Sequence, residues 1–183
     1  MGGNNTDMFD EPSYLRSLRR NGNKQGKGRN GGMKNGGRAG GRSDMMDIIH
    51  KLFDNRGSIM REITETPDGV TTYTHSDDDQ VANWIITHVK QMTSLMEAEK
   101  GIRLWDDLFE KAFEYHNLNH LTFSEVEDGV TVTHEVNHDV EGQARDCLVA
   151  IIHEHSSVVS DFIQRGSDEA QANHAVPDIC SGM

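Results

Sequence analysis

The strongest constraint on this chain is a pair of matching turn signals sixty residues apart, "ITETPDGVTTYTH" at 63–75 and "FSEVEDGVTVTHE" at 123–135. Each sets Asp-Gly between two runs rich in β-branched residues. That dipeptide favours a two-residue type I′ hairpin turn, whose central residues take positive φ. Asp68-Gly69 and Asp128-Gly129 are therefore expected as the turns. Strand alternation then puts Ile63 on one face with Val70, and Phe123 with Val130 and Val132, leaving Thr and Ser on the other. On this register His134 lies opposite Phe123, on the apolar face.

The similarity continues upstream at the same offset of sixty: Asp47 with Asp107, Ile48 with Leu108, Ile49 with Phe109, Lys51 with Lys111, Phe53 with Phe113. Downstream it resumes at an offset of sixty-seven: Val81 with Leu148, Trp84 with Ile151, Ile85 with Ile152, His88 with His155, Met92 with Val159. The seven extra residues fall around "EVNHDVEG". A periodicity of this kind marks an internal repeat.

Each unit reads as helix, hairpin, helix. A hairpin alone is marginal in water, so two units together predict an α+β domain: a four-stranded antiparallel sheet covered by helices, about a pseudo-twofold axis. Exchange of units between two chains, a homodimer, is the alternative arrangement. The domain spans 44–166, with repeats at 44–98 and 104–166. Ser43 or Asp44 caps a first helix that carries Met45, Ile48, Ile49, Leu52 and Phe53 on one stripe. Residues 167–183 read as an irregular C-terminal tail.

Residues 1–43 read as a disordered Gly/Asn/basic tail, since "NGNKQGKGRNGGMKNGGRAGGR" cannot bury enough surface to offset its ordering entropy. The formal charge of −12 divides accordingly, with +5 over residues 1–44 and −17 over the rest. An acidic body argues against duplex nucleic acid as a partner. "MGGNNT" fits the myristoylation pattern at Gly2, and the basic residues that follow would supply the second signal for a membrane surface. No apolar run approaches the roughly 20 residues of a membrane helix, and no secretory leader pattern is present. Cys147, within a helical pattern, and Cys180, near the end, are too few and too differently placed for a disulfide framework, and Cys147 reads as structural. Together these features point to a soluble cytoplasmic protein, peripheral to a membrane if lipidated.

His88 falls within the apolar stripe 81, 84, 85, 92, 95, 96, and His155 within its counterpart 148, 151, 152, 159, 162, 163. Both are expected to face inward. The bland account makes each a satisfied core imidazole. The sharper one makes them an opposed pair that ligates haem iron or begins a copper, zinc or iron site, with Met92 and His134 as further ligands. His116 and His120 have zinc-like spacing but straddle a helix end, while His153 and His155 diverge by about 200° round a helix. His75, His138 and His174 read as surface groups, and "SDDD" at 76–79 as a Ser76 cap followed by first-turn Asp.

No phosphate-loop, dinucleotide or nucleophile-elbow motif is present. The expectation is a non-enzymatic binding domain with a metal or haem at the histidine pair. The contrasting expectation is a protein-interaction module whose acidic body is tethered to a membrane by the myristoylated, basic tail.

Overall fold

The computed structural model describes residues 40–182, with side chains from Asp44 onward; residues 1–39 of the tail, Gly2 among them, lie outside the described residues. Four α-helices and four strands follow in the order α1 (Gly40–Asp54), β1 (Met60–Thr66), β2 (Gly69–His75), α2 (Asp79–Glu97), α3 (Asp107–Glu114), β3 (Asn119–Val126), β4 (Gly129–Val136) and α4 (Gly142–Arg165). The fold is α+β. The sheet formed by the described residues is antiparallel throughout, in the order β1-β2-β4-β3, so both hairpins meet through their second strands.

The registers are linked by the sixty-residue offset. Met60 pairs with His75 and Thr66 with Gly69 in the first hairpin; His120 pairs with Glu135 and Val126 with Gly129 in the second. Where the hairpins join, Thr72 faces Val132, two residues that are themselves sixty apart. The same spacing governs the strand ends, where Ser76 N–H donates to Asp128 O and Val136 N–H to Asp68 O, at 3.0 and 2.9 Å. Short 3-10 turns precede each hairpin at Arg56–Ser58 and His116–Leu118.

The turns differ from the expectation. Thr66 pairs with Gly69 and Val126 with Gly129, so the loop residues are Pro67-Asp68 and Glu127-Asp128, and neither glycine has positive φ. Pro67 and Glu127 occupy the first central position, where a proline's fixed φ suits a type I turn, and glycine follows the turn. Glycine is required there by proximity. A Cβ on Gly69 would stand 2.0 Å from His134 O, and one on Gly129 2.2 Å from Thr74 O, again a pair of contacts sixty apart. Moving the turn one residue upstream keeps every side chain on its face but shifts each partner by two. His134 therefore lies opposite Leu121, not Phe123.

All sheet side chains in the two buried clusters come from one face. In one cluster Val81 and Ile85 of α2 pack on Val130, joined by Leu52, Trp84, Phe123 and Val132. In the other, Cys147, Leu148, Ile151 and Ile152 of α4 pack on Val70, Leu108 and Val136. Each long helix thus lies against the inner strand of the opposite hairpin, α2 on β4 and α4 on β2, while α1 packs on α2 and α3 on α4. The seven extra residues divide into one more residue of strand, two of connection and one turn at the start of α4, visible in the spans β2–α2 and β4–α4.

Three local expectations are corrected. The first helix extends through Gly40, so neither Ser43 nor Asp44 is its cap. Asp78, not Ser76, caps α2 by accepting from Gln80 N and Val81 N, while Ser76 Oγ accepts from Asp78 N. Cys147 and Cys180 are joined in a disulfide, with Cα atoms 4.9 Å apart. The segment after α4 is irregular but packed: Ala170 and Cys180 are 8 and 5% exposed. Sequence distance hid this pairing, because which helix the final residues cross is a tertiary matter.

Candidate functional site

The imidazoles expected to oppose one another do not meet. His88 belongs to α2 over β4 and takes part in no ring contact among the described residues, whereas His155 on α4 packs edge-on against Phe109 at 4.9 Å and against His134 at 6.5 Å. The reason is the crossed packing, which carries the two helices to different parts of the sheet. Met92 stays one turn beyond His88, half-buried. The side chains that converge are thus His134 and His155, from the sequence set of four.

Both are held neutral well below the ordinary histidine range. Burial pushes His134 down to about 3, with help from His155 and His120. Burial likewise takes His155 to about 4, with Arg61 and Arg103 adding to the effect and Asp106 opposing it. His134 Nε2–H donates to Asn119 Oδ1 at 2.8 Å, which leaves Nδ1 as its lone-pair donor. Burial alone lowers His88 to about 4, and although part of that residue's surface reaches solvent, its Nδ1 is shielded and unpartnered.

Beyond Phe109 lies a charged network that nothing in the sequence pattern announced. His174 donates through Nδ1–H to Asp106 Oδ2 at 2.6 Å and through Nε2–H to Glu169 Oε1 at 2.8 Å. A ring that donates from both nitrogens is an imidazolium. Burial opposes that charge, yet the two carboxylates prevail and raise its pKa. Asp106, fully buried, also accepts from Arg103 at 2.7 Å and caps α3 at Phe109 N. Its desolvation is outweighed by Arg103 and His174, so its pKa is lowered. Arg103 lies over the Trp105, Phe109 and Phe162 rings and ties down the C-terminal segment through Ala170 O and Ala172 O. His174, read from sequence as a surface group, is the centre of this clamp.

Several of the remaining histidines have local partners. His153 Nε2–H donates to Gly69 O, and His116 Nδ1–H to Phe113 O. His75 stacks on Tyr73, whose hydroxyl bonds Asp128 at 2.7 Å; that bond, before any other influence, pushes the Tyr73 pKa up to about 12. His138 lies beside His120, their centroids 6.5 Å apart.

Among the described residues no three His, Cys, Asp or Glu side chains converge as a metal-ligand set. Two surface hollows of about 400 and 330 Å³ lie beside Val176 and Cys180 and beside His50 and Arg56, neither walled by the inward histidines. No helix among the described residues is long and apolar enough to cross a membrane. The chain matches no protein-family model, no curated protein and no solved structure.

Proposed function

We propose that this is a non-catalytic binding domain built from two αββα repeats, with its binding centre at His134 and His155. The repeat reading is supported by registers, turn contacts and strand-end hydrogen bonds that all recur at sixty residues. The reading of the centre rests on one observation: two neutral imidazoles, 6.5 Å apart and edge to face. Two ring nitrogens each about 2.0 Å from one ion and opposed across it in a near-straight line place their centroids roughly 6 Å apart, close to that separation. Arg61 and Arg103 beside His155 disfavour a dication. Among the metals that imidazole suits, copper(I) is the one that carries a single charge and accepts two nitrogen donors. It fits better than zinc, iron or haem, which call for more ligands or a larger hollow.

Anaerobic copper(I) titration against a competing chelator tests this. One equivalent bound by the native chain and lost in His134→Ala/His155→Ala, but kept in His88→Ala, is the expected result. Equal binding by all three proteins would sink the reading.

The interaction-module reading is favoured by the sheet face that contributes to neither buried cluster, where Thr71, Tyr73, Thr131 and Thr133 are half-exposed and Met60 and Val126 are each 39% exposed. Flotation with anionic vesicles, comparing the native chain with Gly2→Ala, tests the tether; equal flotation counts against lipid anchoring.

A further inference from the structure

Arg61 stands where the fold asks for no charge. It is an alternate-face residue of β1, on the helix-covered side with Ile63, and it pairs across the hairpin with Thr74. Sixty residues on, the same rung holds Leu121 opposite His134. Ser156 of α4, which Arg61 reaches, has Val89 as its counterpart sixty-seven residues earlier in α2. The corresponding positions therefore hold a leucine, a histidine and a valine in one half and an arginine, a threonine and a serine in the other. This comparison rests on the repeat reading.

The hydrogen bonding at Arg61 is one-sided. Nη1 donates to Thr74 Oγ1 at 2.6 Å and Nη2 to Ser156 Oγ at 3.2 Å. Each hydroxyl oxygen is thereby an acceptor, and its own proton has no described acceptor to go to. Nε–H is shielded from solvent and has no partner. No described carboxylate forms an ion pair with this guanidinium, and burial lowers its pKa to about 10 with no anion to offset it. A largely shielded cation whose Nε–H is unpartnered and which has no described counter-charge is costly unless something supplies both acceptors and charge. Nε–H and Nη2 share one edge of the guanidinium, the edge a carboxylate engages side-on, and Ser156 lies against it. Among the described residues β1 is an edge strand with no neighbour beyond it, and Arg61 keeps part of its surface exposed.

We propose that Arg61, Thr74 and Ser156 form a binding site for the carboxylate of a small molecule. One fixed positive charge matches a singly charged ligand. The surrounding body, at −17 beyond residue 44, weighs against a dianion such as phosphate more than against a monoanion.

The test follows the Arg61 Nε–H resonance of the full-length, chelator-treated protein during titration with formate, acetate, inorganic phosphate and chloride at matched ionic strength. Formate and acetate shift it saturably, chloride does not, and Ser156→Ala weakens formate binding about tenfold. Arg61→Leu folds with a thermal midpoint at or above that of the native chain and no longer gains stability from formate. A chloride response equal to that of formate, saturation by phosphate alone, or an Arg61→Leu chain that fails to fold while Ser156→Ala binds formate normally would each overturn the site. Because metal is removed beforehand, failure here leaves the histidine centre standing, and loss of copper binding leaves this site standing.

Discussion

The core under α2 is small and almost wholly apolar: Val81, Ile85 and Val130, sealed by Leu52, Trp84, Val89 and Phe123. Under α4 the same backbone plan encloses Leu108, Leu148, Ile151 and Ile152, but also a disulfide, two neutral histidines and the Arg103–Asp106–His174–Glu169 network. The hairpins share one register, so the sheet adds to the difference only through single side chains such as His134, which stands where the first hairpin has Thr74. The rest of it depends on the C-terminal segment, which brings Glu169, His174 and Cys180 to the second half alone. A shared scaffold determines where side chains point; an added strap determines which of them need polar partners.

The largest break in this comparison should come from the disulfide. Cys147→Ala/Cys180→Ala opens a link spanning 33 residues, with an expected loss of roughly 3–4 kcal/mol, measured by urea unfolding. A loss below 1 kcal/mol would show that the strap is held by its other contacts. Next come Gly69→Val and Gly129→Val, each driving a side chain into the opposing strand's backbone and each expected to cost about 3 kcal/mol. Equal losses sharpen the likeness of the two hairpins, and one neutral variant breaks it.

His174→Leu removes two charge-assisted hydrogen bonds in the second half only, at a cost of about 2 kcal/mol. The sign of its pH dependence is distinctive. A raised folded pKa gives stability that is whole below the unfolded value and lost as pH rises through the folded one. His88, His134 and His155 act in the opposite sense. Their folded values of about 4, 3 and 4 mean that the unfolded chain binds protons the native one refuses, so stability falls as pH drops below 6.5. Each contributes a slope on the order of 1 kcal/mol per pH unit. Urea unfolding between pH 7 and 4.5 should flatten by one share in His88→Leu and by two in His134→Leu/His155→Leu. An unchanged slope in the double variant would mean that these rings are protonated in the native state.

Much of the fold is legible in the residues. The place of each turn to within one residue, the alternation of Ile63, Val70, Phe123, Val130 and Val132, and the stripes of α2 and α4 are local patterns, and local patterns report which face of an element is buried. Arg61 was legible too, as a charge on the apolar face of a strand, a signal hidden by reading that hairpin from Ile63 onward. His134 was placed on the correct face with the wrong partner, because parity survives a two-residue register change and pairing does not.

Local order along the chain encodes the hairpin-and-helix plan and the inward faces of His88, His134 and His155. Tertiary structure alone decided that β2 joins β4, that the long helices cross onto opposite hairpins, and that His155 therefore meets His134 and not His88. It also decided that Cys180 reaches Cys147 and that His174 becomes an imidazolium between two carboxylates. The reason is that periodicity is set by neighbours along the chain, whereas a partner's identity depends on where distant segments come to rest.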